Sequence, residues 1–233
     1  MTLSEHLGEL RRRLMISLAF FLVAAIVVYI FYPHILSLLR HPYCEAAHKG
    51  NCQLFVFSPL EGFGARLNVT GYGGLILASP VILYQLWKFV TPGLRANERR
   101  YAIPFVTASL VLFCCGAAVA WITLPHALGF LRAVGGPGIT QNLQLSKYLS
   151  LVMALLLIFG LTFEFPVVLV GLELAGAITP AQLSHWRRIA IISIVIIAGV
   201  VTPSSDPFSM LALAVPLLVF YEGSILIGRV LKR

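Results

Sequence analysis

Ionisable side chains are scarce in this sequence, so their positions carry information. Glu98 sits in "VTPGLRANERRYAIPF", residues 90–105, a polar break between two apolar runs, beside Arg95, Arg99 and Arg100. One role for it is to neutralise those arginines, an exposed contact worth ~0–1 kcal/mol. The other is to receive a cationic ligand. A guanidinium meets a carboxylate in a two-bond fork, which is more directional than a lysine contact. Two separate carboxylates can hold two arginines, and Glu9 in "TLSEHLGELRRRL" is a second acid on the same basic side of the chain. Its plainest local role is i,i+4 pairing with Arg13. Glu164, in "FGLTFEFPVV", poses a different problem because it lies inside a long apolar run. A charged group at the bilayer centre costs at least ~2.5–3.5 kcal/mol, so such an acid faces protein or a water-filled cavity, or stays protonated. Pro166 removes a backbone hydrogen bond two residues later and frees the carbonyl of Thr162. The pair suggests a polar notch in a helix bundle. The purely structural alternative is a protonated glutamate bonded to a neighbouring helix.

These acids need elements to position them, and composition says which. The chain has 233 residues, 59% apolar and 11% charged, with a mean hydropathy of +0.91. A soluble domain carries roughly 25% charged residues. The sequence therefore reads as one all-α integral membrane domain spanning 1–233. Its apolar runs fall at about 14–36, 69–91, 102–131, 148–177, 189–202 and 207–230, six transmembrane helices. The fifth is short for a bilayer about 30 Å thick. A turn from Thr202 to Pro207 makes it an antiparallel hairpin with the sixth.

The net charge of +8 resides in the breaks between these runs, which is orientation by basic residues rather than nucleic-acid binding. With the N-terminus inside, the inner segments hold eleven basic residues: Arg11, Arg12, Arg13, Arg95, Arg99, Arg100, Arg187, Arg188, Arg229, Lys232 and Arg233. The outer segments hold five: Arg40, Lys49, Arg66, Arg132 and Lys147. The bias predicts both termini in the cytoplasm. The run after Arg13 is longer than a signal-peptide core and reads as the first span. Before it, Leu3, Leu7, Leu10 and Leu14 form one apolar stripe, predicting an amphipathic interfacial helix that turns into that span. Thr2 and Glu5 have capping-box spacing at its start.

The outer loop at about 37–68 is long enough to have structure of its own. Cys44 and Cys52 lie in it, on the oxidising side, and can close a small disulfide loop or remain two free thiols. Cys114 and Cys115 fall within span three and read as packing residues. Asp206, before Pro207, has the spacing of an N-cap for span six. Glu173 and Glu222 sit nearer span ends, where acids reach water. No metal-ligand spacing, nucleotide-binding loop or protease motif occurs, so neither cofactor nor enzyme activity is expected. The unequal halves show no inverted repeat, which argues against a small ion-coupled transporter working through Glu164.

Several longer stretches resemble one family. "SPVILYQLWKFVTPGLRANERR" is similar to the second span and first cytoplasmic loop of TatC, the receptor subunit of the twin-arginine protein translocase. "HLGELRRRL", "YLSLVMALLLIFGLTFEFPVVL" and "TPSSDPFSMLALAVPLLVFYE" resemble its N-terminal segment, fourth span and last hairpin. The resemblance covers essentially the whole chain. It implies a glove-like bundle in a prokaryotic cytoplasmic (inner) membrane, both ends inside, binding twin-arginine signal peptides of folded cargo. It further implies proton-motive-force-driven export with TatA and TatB and self-association into a larger complex. Carried over residue by residue, Glu9, Phe89 and Glu98 match the signal-peptide site. Glu164 matches a buried acid on the concave side, and Pro203 and Asp206 lie at the tip of the last hairpin, by the docking surface for TatA or TatB. One departure is Met210, which stands where the family often has a polar side chain such as glutamine.

Overall fold

The computed structural model describes residues 3–46, 53–90, 102–134, 143–202 and 206–231. In chain order its helices are α1 (Leu3–Ile30), α2 (Tyr32–Ala46), α3 (Pro59–Val90), α4 (Ala102–Val134), α5 (Leu145–Thr162), α6 (Phe165–Leu174), α7 (Pro180–His185), α8 (Arg187–Val201) and α9 (Pro207–Leu231). Among the described residues, five segments are long and apolar enough to cross a membrane: α1, α3, α4, α5 continued by α6, and α9. The short sixth, α8, has 15 residues, roughly 22 Å of helix, and packs against α9.

α1 runs from Leu3 to Ile30 without the turn expected after the amphipathic stretch. Neither Pro nor a polar turn cluster interrupts it, so the helix continues from the polar end into the apolar run. Leu7, Leu10 and Leu14 are exposed, pointing away from the bundle. The described residues of the segment read as an outer loop are largely helical. α2 fills its first part, and α3 begins at Pro59, well before the apolar run.

Between apolar helices in lipid there is little hydrophobic drive, so small residues that let backbones approach decide the packing. α1 and α3 meet where a Cβ on Gly74 would lie 3.0–3.2 Å from Ala25. α4 and α5 interlock reciprocally: a Cβ on Gly116 would come within 2.5 Å of the Phe159 carbonyl oxygen, and one on Gly160 within 2.7 Å of the Phe113 ring. α5 is the central helix, with Leu149, Val152 and Phe159 inaccessible to solvent.

The end of the bundle opposite the amino terminus is held by polar contacts. Phe55 bridges to Gln144 in parallel. Glu61, at the start of α3, accepts from the Phe57 N–H at 2.8 Å and from the Ser146 N–H and hydroxyl at 3.2 and 3.0 Å. Tyr148 donates to the Leu39 carbonyl at 2.6 Å, tying α2 to α5. Cys44 is disulfide-bonded, Cys114 and Cys115 are free, and Cys52 lies outside the described residues.

Candidate functional site

The amino-terminal end of α1 lies against the last turns of α3. His6 and Glu9 are one turn apart on α1, and the His6 ring stacks on Phe89 of α3, centroids 4.5 Å apart. Arg13 folds back one turn and donates to Glu9 Oε1 through Nε at 3.1 Å and also through Nη2. Its Nη1 makes a longer 3.4 Å contact to Gln85 Oε1, one turn before Phe89. A cavity of about 210 Å³ is lined here by Glu9, Arg12, Arg13, Ile16, Gln85 and Lys88. Three cations and one carboxylate form its charged wall. The structure thus brings together Glu9 and Phe89. Glu98 lies outside the described residues, as do Thr2 and Pro203.

A second acid occupies a different setting. α5 ends at Thr162 and α6 starts at Phe165. Pro166 stands in the first turn of α6, where its missing N–H costs nothing. Glu164 is the N-cap residue of α6 and only 8% exposed. The Ser109 side chain of α4 lies beside its carboxyl group. Ser109 is fully buried and accepts the indole N–H of Trp87 at 2.6 Å. Three elements therefore converge on this acid: α3 through Trp87, α4 through Ser109, and the α5–α6 break. Glu164 Oε1 has no hydrogen-bond partner among the described residues. The residue also lines a cavity of about 260 Å³ walled by Leu161, Phe165 and Val168, by Ile194 and Ile197 of α8, and by Leu217 of α9.

At the hairpin, Asp206 is buried and accepts the Ser209 N–H at 2.7 Å, so it caps α9 as its spacing predicts. Met210 packs on the core, and Gly199 of α8 faces its sulfur. The hairpin interior is apolar at that position. Glu173 differs from the expectation that an acid near a span end reaches water. It is 1% exposed and packed on Gly228 of α9, because α9 covers the end of α6. Glu222 instead pairs with Arg187 at 2.7 Å in the open. Nothing in the sequence singles out His6, Gln85, Trp87 or Ser109. Each is ordinary alone and acquires meaning only from the helix facing it. Among the described residues no cluster of three metal-ligating side chains occurs.

Comparison with known proteins gives this architecture a family. The model of the Sec-independent protein translocase protein TatC matches residues 5–216. The Sec-independent protein translocase protein TatC of Frankia casuarinae is 45% identical across 98% of this chain, which spans 65% of that relative's length. The Aquifex aeolicus protein of the same name is 38% identical over 100% of this chain and 97% of its own length. A crystal structure described as the twin arginine translocase receptor TatC superposes with a TM-score of 0.81 at 37% identity, covering 98% of this chain and 100% of that one. The glove-like bundle implied by the resemblance is the fold shared with that receptor. A multi-pass membrane protein and translocase component, not an enzyme, this chain belongs to the TatC family of Sec-independent protein translocase proteins.

Proposed function

We propose that this chain is the signal-peptide receptor of a twin-arginine translocase, working with TatA and TatB in proton-motive-force-driven export. The observation that carries the reading is the Glu9 cavity beside Phe89. A half-buried carboxylate interacts with a guanidinium under less screening than one on open surface. Here it sits with an aromatic ring at hand for the apolar part of a peptide. Glu98 follows Phe89 by nine residues in the chain and is assigned the second arginine. The basic bias supports placing this end, and both termini, in the cytoplasm of a prokaryotic cell. On the other side of the bundle, α8 and α9 offer exposed Ile189, Ile192, Ile196 and Val215 to a TatA or TatB membrane helix. Glu164 is the polar contact beside that surface, and the Pro203–Asp206 tip shapes its outer end. Several copies assemble into the working complex.

The test is binding of a labelled peptide carrying two consecutive arginines before an apolar stretch, measured by fluorescence anisotropy on the purified protein. A lysine-pair peptide is the control. Glu9→Gln and Glu98→Gln are each expected to weaken arginine-pair binding by about tenfold, because each loses a charge-assisted fork. Equal binding of the two peptides, or no effect of either substitution, overturns the assignment.

A further inference from the structure

The Glu9 carboxylate already holds a guanidinium. Arg13 grips Oε1 with two N–H groups, and the pair is held in place rather than loose at the surface, with the Arg13 side chain 13% exposed and Glu9 23%. We infer that Arg13 is a resident competitor that occupies the Glu9 site in place of the ligand's arginine and sets how selective that site is. The inference rests on the signal-peptide reading above and adds a specificity-determining residue to it. A ligand guanidinium needs both carboxylate oxygens for a full fork, so it must displace or share with Arg13. A lysine brings a point charge without the planar two-donor fork, so it competes less well than an arginine. Displaced Arg13 keeps an acceptor, because its Nη1 already reaches toward Gln85 on α3. The exchange frees its Nε and Nη2 donors while that contact to Gln85 stays in reach. Arg12 and Lys88 line the same cavity, but the grip on Glu9 belongs to Arg13.

The experiment is the same anisotropy titration with arginine-pair and lysine-pair peptides on the full-length protein, comparing wild type with Arg13→Gln, Arg13→Lys and Arg12→Gln. Removing the competitor by Arg13→Gln is expected to tighten the arginine-pair peptide about threefold, the scale of a partly exposed ion pair. The lysine-pair peptide gains more, so discrimination falls. Arg13→Lys keeps the charge but loses the two-bond grip, and gives a smaller gain in the same direction. It decides the matter if Arg13→Gln does not yield a monodisperse protein. Arg12→Gln removes the same charge from the same cavity and gives less than either Arg13 variant. Weaker or unchanged binding in both Arg13 variants overturns the competitor role, as does an Arg12→Gln gain equal to that of Arg13→Gln. Those results leave the receptor reading standing so long as wild type still prefers the arginine pair. Loss of that preference in wild type overturns both.

Discussion

The Trp87–Ser109–Glu164 chain allows a quantitative test of how the bundle supports its buried acid. Ser109→Ala removes one hydroxyl that accepts from Trp87 at 2.6 Å and lies beside Glu164. The substitution takes the Ser109 acceptor away from a buried indole N–H. In soluble proteins, orphaning one buried donor costs about 1–3 kcal/mol. Between membrane helices, measured couplings average only about 0.6 and reach about 1.7 kcal/mol, since the unfolded chain in lipid also finds partners. Ser109 is fully enclosed by protein and has no lipid alternative in the fold, so the upper part of that range applies. The cycle pairs Ser109→Ala with Trp87→Phe. The second change removes the donor itself, so the double variant loses this contact only once. Its loss should fall short of the sum of the two singles by roughly 1–1.7 kcal/mol. Reversible unfolding in mixed micelles, followed by circular dichroism because a tryptophan is being replaced, measures the three variants. Additivity within about 0.5 kcal/mol would show that the Trp87–Ser109 contact carries no coupling and would refute this reasoning.

Two further outcomes follow from packing and from the outer loop. Gly116→Ala places a methyl against the Phe159 backbone carbonyl, which cannot swing aside. Overpacking of about 1–3 kcal/mol outweighs a helix-propensity gain of about 1 kcal/mol, whereas Gly129→Ala, with nothing within 4 Å, keeps the gain; the same unfolding measurement separates them. The chain has four cysteines, of which Cys114 and Cys115 are free and Cys44 is bonded, so pairing of Cys44 with Cys52 predicts that a thiol-reactive polymer adds two labels to the SDS-denatured protein before reduction and four after it; four before reduction refutes the pairing.

Fold class was legible because bilayer thickness imposes one length on every spanning helix and forbids charge along it. Runs of apolar residues therefore reported the helices directly, down to the short α8. What those runs could not report was where a helix begins outside the lipid. α3 starts at Pro59 and α1 continues through its polar end, since helix geometry persists past the apolar run unless a breaker intervenes. Asp206 was legible because an N-cap is a local device, read from the residue and the proline after it. The environment of Glu173 was not, because its burial depends on α9, more than fifty residues later, and on Gly228 leaving room for the carboxylate. The Ser109 contact is hidden for the same reason: serine occurs throughout this sequence, and only the crossing of α3 and α4 selects this one.

Glu9 and Glu164 carry the same functional group, yet their surroundings divide the labour on the receptor reading. Glu9 lies in a cavity with cationic walls and already binds a guanidinium, so exchanging one guanidinium for another there changes little in net charge or solvation. Glu164 faces a cavity walled by leucine, isoleucine, valine and phenylalanine, with Thr162 the one other polar residue in its lining. Moving an arginine there from water would meet the full cost of taking a cation to bilayer depth, at least about 2.5–3.5 kcal/mol. One buried carboxylate, with Ser109 beside it, recovers little of that when it must be desolvated too. A neutral donor has no such cost and would satisfy Oε1. If the proposed receptor role holds, the arginine pair therefore stays at the Glu9 end. Whatever reaches Glu164 arrives as an uncharged polar group on an otherwise apolar helix, the form in which a membrane-embedded partner could carry it.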